Sequence, residues 1–226
     1  VLGLVQGLAE FLPISSSGHL LIVPWLFGWD DFAGDESIKK AFDVSLHIGT
    51  LVALIIYFRH ELVVYARDGI RHLVDRKRPA TREAHIAWLL VLSALPGAAV
   101  GAVFESTIDE RLGTPGLIGF SLIFFGLLLA WADRRPGTRP LDDYHAPDAL
   151  KVGAAQVLAL NPGTSRSGIT VTAARTIGFN RDSAARMSFL MSIPITAGAV
   201  VFKMTKLFLD GVPDGLLGPM IVGVIT

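Results

Sequence analysis

The sequence predicts an all-α polytopic membrane protein built as an inverted-topology repeat. Three observations predict it. Several apolar runs are long enough to cross a bilayer, two further apolar segments are interrupted by polar turns, and Lys and Arg alternate in abundance between successive loops. Hydrophobic residues make up 51% of the 226 and charged residues 18%, against about 25% charged in an average soluble domain. Mean hydropathy is +0.53. The formal net charge is zero, so the balance gives no reason to expect a nucleic-acid partner. There is no cysteine, which excludes disulfides, thiol catalysis and Cys-based metal sites. The chain opens with Val inside an apolar segment and closes on PMIVGVIT, which reads as the first half of a helix, so the sequence is expected to be part of a longer chain.

A span needs roughly 17–25 apolar residues. Val44 to Phe58 forms the core of one, closed by Arg59, His60 and Glu61. Ile86 to Phe104, Leu117 to Ala132 and Met187 to Leu209 are three more, and Leu216 onward begins a fifth. Residues 1–27 and 149–179 are apolar but broken, the first by Pro13 to His19 and the second by Asn161 to Gly168. Irregular polar backbone at membrane depth is tolerated only where protein or a watery cavity surrounds it. Both segments therefore read as helix, polar break, helix, the pattern of a buried binding site.

Positive charge sets the orientation. The stretch 59–83 reads as a loop with seven basic residues: Arg59, Arg67, Arg71, Arg76, Lys77, Arg78 and Arg82. The loop 133–151 carries Arg134, Arg135, Arg139 and Lys151. Both are expected in the cytoplasm. The loop 28–43, with Asp30, Asp31, Asp35, Glu36 and Asp43 against Lys39 and Lys40, and the loop 105–114, with only Arg111, are expected outside. Lys203 and Lys206, near the outer end of their span, would snorkel. As re-entrant hairpins, the two broken segments then enter from opposite faces and meet near the middle. Gln6 to Gly18 and Gln156 to Gly168 cover equal distances, each with a Pro and a Ser-rich turn. The expectation is one membrane domain over 1–226. A first repeat at 1–133 holds one hairpin and three spans, and a second at 148–226 is incomplete.

The chemistry concentrates in the breaks. Gln6 and Glu10, four apart, share a helix face. A carboxylate in an apolar segment costs several kcal/mol unless paired or watered. Ser15, Ser16, Ser17 and His19 follow, so hydroxyl, imidazole and carboxylate lie within one short stretch. The second break offers Gly163, Thr164, Ser165, Arg166, Ser167 and Thr170. Arg grips phosphate with a planar fork, glycines let backbone N–H groups approach an anion, and a helix starting near Gly168 would aim its positive end at the same place. Plainer readings stand beside these: a Ser-rich turn is more often a helix cap than a nucleophile, and His47 and Asp43 fit packing or interface roles.

At these motifs the chain resembles the undecaprenyl-diphosphatase (bacitracin-resistance) family. That family carries a (Glu/Gln)-x-x-x-Glu motif, matched by Gln6 and Glu10, and a Ser-rich turn with His, matched by Ser15 to His19. Its Pro-Gly-x-Ser-Arg-Ser-x-x-Thr motif is matched by Pro162 to Thr170. A second lipid-phosphatase family, with Pro-Ser-Gly-His and Ser-Arg-x5-His-x3-Asp motifs, is excluded because no His follows Arg166 at the needed spacing. The resemblance implies hydrolysis of undecaprenyl diphosphate to the monophosphate carrier and inorganic phosphate, which recycles the lipid carrier for cell-wall (peptidoglycan) synthesis. It implies a bacterial plasma-membrane protein with its active site facing outward, a polyprenyl diphosphate lipid as partner, and a divalent cation (Mg2+ or Ca2+) at Glu10 and Gln6. It leaves a homodimer open. Gln6 is the neutral variant of the first motif position. The catalytic set expected is Glu10, Ser16, His19 and Arg166, with Ser15, Ser17, Gly163, Thr164, Ser165, Ser167 and Thr170 around the substrate. The nucleophile is Ser16, His19 or a water, a Ser-turn hydroxyl with His19 as base being the first choice. The competing reading is a lipid or small-anion transporter or flippase, since inverted repeats with broken central helices are also transporter architecture.

Overall fold

Residues 1–29, 36–75, 79–111, 114–213 and 215–226 are described by the structure, a computed structural model. Asp30, Asp31 and Asp35 of the acidic loop and Arg76, Lys77 and Arg78 of the basic stretch lie outside the described residues. The elements are α1 (Leu2–Phe11), α2 (Ser16–Phe27), α3 (Glu36–Tyr57), α4 (Arg59–Val74), α5 (Arg82–Arg111), α6 (Pro115–Asp133), α7 (Ala146–Gln156), α8 (Arg166–Thr176), α9 (Arg181–Asp210) and α10 (Leu217–Ile225). Three helices, within Arg82–Phe104, Pro115–Asp133 and Arg181–Leu209, are long and apolar enough to cross a membrane, and a fourth crossing is formed if the bent pair α3–α4 is one span. The chain is thus an all-helical, multi-pass membrane protein. The outer face of α6 fits that setting: Phe120, Ile123, Phe124 and Leu127 are all exposed, as side chains facing lipid should be.

Both broken segments are broken as the sequence predicts, and for the same reason. Leu12 precedes Pro13 and Asn161 precedes Pro162, and a residue before proline is pushed out of the helical region. Leu12 is extended at φ −78°, ψ 141°, and Asn161 at φ −76°, ψ 121°. A short 3-10 turn, Val157–Leu160, tightens the second segment just before its break.

Three loop expectations are corrected: residues 36–43 of the expected 28–43 loop and 105–111 of the expected 105–114 loop are helical, and the third is the basic stretch. The sequence predicts a loop over 59–83, but Arg59–Val74 is helical and bends 81° away from α3. Its charges are the polar side of an amphipathic helix rather than loop residues, with Leu62 and Tyr65 packed on the core. Trp88 Nε1 donates to the Gly69 carbonyl at 3.3 Å, which ties α4 to α5. Span ends also differ: α9 starts at Arg181, where Asn180 caps it by accepting from Ser183 N at 2.8 Å, not at Met187.

The main core joins α3, α5, α7, α8 and α9 through Leu51, Leu54, Leu90, Val152, Ala174 and Met187. A smaller cluster, Leu20, Phe42, Leu46, Leu216 and Met220, joins α2, α3 and α10. The two basic stretches predicted to share a side do meet. Arg82 pairs with Asp142, and Arg186 pairs with Glu61 at 2.9 Å. Arg181 forks onto Asp133 at 2.7 and 2.8 Å. Beneath them Arg175, 4% exposed, donates to the carbonyls of Asp133, Arg135 and Phe179. This network fixes the end of α8 remote from its break.

Candidate active site

The two breaks touch backbone to backbone. A Cβ on Gly18 would stand 3.3 Å from the Gly163 Cα, and one on Gly168 would stand 3.2 Å from the Pro13 carbonyl oxygen. Gly163 also has φ +89°, and a Cβ there would lie 2.6 Å from the Ile118 carbonyl of α6. Glycine is therefore required at Gly163 both for its backbone angle and for its close approach. Asn161 fastens the turn by donating to Ser121 Oγ at 2.8 Å and Thr164 Oγ1 at 3.1 Å.

Each helix after a break is capped by the first serine of its turn. Ser15 Oγ accepts from Gly18 N at 3.3 Å, and Ser165 Oγ accepts from Gly168 N at 3.0 Å. Ser17 and Ser167 hydroxyls lie 3.3 and 3.1 Å from those capping oxygens. The plainer reading of these serines as caps thus describes their geometry. The residue that follows each cap is different: Ser16 in one break and Arg166 in the other.

Both converge on Glu10, whose side chain is 9% exposed. Ser16 Oγ donates to Glu10 Oε2 at 2.5 Å, and Gln6 Nε2 donates to the same oxygen at 3.2 Å. Arg166 Nη2 donates to Glu10 Oε1 from across the junction, and Arg166 Nη1 donates to Thr196 Oγ1 at 2.7 Å. The buried carboxylate is thus neutralised by the arginine, and three of its roughly four lone-pair sites are occupied, which offsets the cost of a charge at that depth. A cavity of about 10 Å³ beside the pair is lined in part by Glu10, Arg166, Ser167, Ser188 and Ser192, about the room one water needs.

Of the predicted residues, the structure brings Gln6, Glu10, Ser16 and Arg166 into direct contact. His19 stands apart from that contact: its Nδ1 meets the Ser15 carbonyl at 2.8 Å, one turn back on its own helix. Thr170 is turned inward, with its hydroxyl at 2.8 Å from both the Arg166 carbonyl and Ser188 Oγ. Gly163, Thr164 and Ser165 are buried in the turn, whereas Ser17 is exposed. Two contributions go beyond the sequence prediction. His47 Nε2 lies 3.7 Å from Glu10 Oε2, on the far side from Arg166's tie. Ser188, Ser192 and Thr196 lie four apart on α9 and are each 4% exposed. That spacing was the available signal, three hydroxyls on one face of an apolar span.

A carboxylate, a hydroxyl and a guanidinium held together where two broken apolar helices meet define a polytopic membrane protein with a charged polar centre. The chain belongs to the bacitracin resistance protein BacA family, whose model matches residues 1–226. It is similar to the undecaprenyl-diphosphatase of Geobacter sulfurreducens, 46% identical over 228 residues that cover 100% of this chain and 82% of that protein. Similar too are the undecaprenyl-diphosphatases of Hahella chejuensis, 45% identical over 207 residues (92% of this chain, 75% of the relative), and Moorella thermoacetica, 42% identical over 231 residues (100% and 84%).

Proposed function

We propose that this chain is an undecaprenyl-diphosphate phosphatase, hydrolysing undecaprenyl diphosphate to undecaprenyl phosphate and inorganic phosphate at the junction of the two breaks. The observation that carries the proposal is the convergence of Ser16 and Arg166 on Glu10, in a chain that matches relatives bearing that name over its full given length. Ser16 Oγ attacks the terminal phosphorus while its proton passes to Glu10. The bond from that phosphorus to the bridging oxygen breaks, and polyprenyl phosphate leaves. Water then splits the phosphoserine, returning the free hydroxyl and inorganic phosphate. Glu10 replaces His19 as proton acceptor in this reading, because the Ser16 hydroxyl is aimed at the carboxylate. In this reading Arg166, which begins α8, meets the charge spread over the transferred phosphoryl oxygens.

The residues present fit a divalent cation shared with the substrate. Gln6 Oε1 is buried with no hydrogen-bond partner among the described residues, and it lies on the side chain that already touches Glu10. Among the described residues no three His, Asp or Glu come together as a protein cage. Mg2+ is commonly held by one or two carboxylates with substrate phosphates and water completing its shell, so Glu10 and Gln6 would hold such an ion. When bound it supplies charge neutralisation at the diphosphate.

In the same reading the fold is an inverted repeat with a 150-residue offset, which four pairs of observations support. Gly18 meets Gly163 while Gly168 meets Pro13, so each contact is the other's counterpart under that offset. The Ser15 and Ser165 caps correspond. Gln6 and Gln156 are both buried. Gly3 of α1 presses on the Gly223 carbonyl of α10, and Gly153 of α7 presses on the Ser93 carbonyl of α5, each at 2.6 Å from a Cβ placed there. The site opens to the outer face of a bacterial plasma membrane. A cysteine at Arg71 should then resist membrane-impermeant thiol reagents in intact cells and one at Thr114 should react; the reverse labelling overturns the orientation. Purified protein in detergent should release inorganic phosphate from a polyprenyl diphosphate. Tight binding of that lipid with no phosphate release would instead favour lipid transport.

A further inference from the structure

The Arg166 guanidinium is not held by Glu10 alone. Its Nη2 pairs with Glu10 while its Nη1 donates to Thr196 Oγ1 at 2.7 Å. Thr196 belongs to α9, a different element from either break, and is 4% exposed. Below it on the same face, Ser192 turns its hydroxyl to the Phe189 carbonyl at 2.7 Å, and Ser188 bonds Thr170 at 2.8 Å. Of the three α9 hydroxyls, only the Thr196 hydroxyl reaches the guanidinium in these contacts.

We infer that Thr196 is the positioning residue that keeps Arg166 available to the diphosphate. This rests on the phosphatase reading above. A guanidinium next to a carboxylate prefers the bidentate, fork-to-fork pair. Here the second nitrogen is withheld from Glu10 by the threonine hydroxyl. One terminal nitrogen stays anchored, and the other needs to exchange only a single carboxylate contact for a phosphate oxygen. Without the hydroxyl, Nη1 falls onto Glu10 and the site closes on itself. Substrate then competes with a stronger internal pair. That penalty is paid equally by bound substrate and transition state, so it falls on KM and not on kcat.

Thr196→Ala and Thr196→Ser both delete the γ-methyl and differ only in the hydroxyl, so packing affects them alike. Phosphate release from a polyprenyl diphosphate by the full chain in detergent should show KM raised about tenfold in Thr196→Ala, the scale of a hydrogen bond to a charged group, with kcat within about twofold. Thr196→Ser should match the wild type. Calorimetric affinity for inorganic pyrophosphate should fall by the same factor in Thr196→Ala, and this comparison stands without turnover. If the wild type releases no phosphate, the phosphatase reading fails and the pyrophosphate series still decides the role of Thr196. Equal behaviour of the Ala and Ser variants, whether both intact or both impaired, overturns the inference, as does a loss confined to kcat.

Discussion

The first and second breaks share a scaffold and divide the chemistry. Each begins with an extended residue before proline, each closes with a serine cap onto a glycine N–H, and each presents its next side chain to Glu10. They differ in what is presented and in how the backbone is held. The first delivers a hydroxyl from Ser16, and the second delivers a cation from Arg166. The unusual backbone angle falls on Ser15 in the first, at φ 69°, where a non-glycine residue is strained. In the second, Ser165 sits at an ordinary φ of −66° and the positive φ falls on Gly163 instead. Similar turns hold both arms, and the different residue after each cap, Ser16 or Arg166, makes them complementary.

If that division is right, exchanging either arm's chemistry should be the most damaging change available. Ser16→Ala leaves the cap and the fold but removes the hydroxyl aimed at Glu10. It should lower kcat by about a thousandfold or more, as losing a nucleophile does. Residual activity within about tenfold of wild type would mean that water attacks directly and that Ser16 only orients it. Arg166→Lys keeps the charge and loses the fork, and should retain less than about a tenth of wild-type activity. Better retention would show that a point charge suffices at the second break.

A smaller effect is expected from Gln6, which sits beside the carboxylate. Gln6→Glu adds a second carboxylate one helical turn from Glu10 and should be tolerated, with a divalent-ion titration of phosphate release shifted to lower concentration. Glu10→Gln should lose activity and its response to added ion together. A Glu10→Gln protein that keeps the wild-type ion midpoint and fails only in maximal rate would restrict Glu10 to proton transfer.

Much of this arrangement was legible beforehand because it rests on local signals. Proline followed at once by a Ser-rich turn marks both breaks, whereas Pro96 and Pro194 stay inside continuous helices. Ser16 and Arg166 lie in those breaks, and Gln6 and Glu10 lie in the helix that leads into the first. What the sequence concealed depends on tertiary packing. His47 is one histidine in an apolar span, and only the packing of α3 on the first hairpin brings it to 3.7 Å from Glu10. Thr196 lies 30 residues from Arg166. The spacing of Ser188, Ser192 and Thr196 marks a hydroxyl face on α9 but not which hydroxyl reaches the arginine, since Ser192 satisfies its own backbone instead. The helix α4 was hidden because its charges match a cytoplasmic loop as well as they match an amphipathic helix. His19 shows the opposite case: three residues from Ser16 in sequence, it meets the Ser15 carbonyl one turn back on its own helix.

The smallest expected effect tests the backbone half of the comparison. Ser15 and Ser165 make the same cap bond, so replacing either with alanine should cost about 1 kcal/mol of stability. Glycine separates them. Glycine is nearly as good an N-cap as serine, costing only about a few tenths of a kcal/mol of stability with the unfolded state included. At Ser165, with φ −66°, nothing offsets that loss, so Ser165→Gly should be slightly destabilised, and less than Ser165→Ala. At Ser15, with φ 69°, glycine also relieves a strain on the order of 1 kcal/mol. Ser15→Gly should therefore be at least as stable as the wild type while Ser15→Ala is not. Thermal unfolding of the four variants in one detergent measures the difference. If Ser15→Gly is as destabilised as Ser165→Gly, the first break is unstrained, and the two turns differ only in the side chains they present to Glu10.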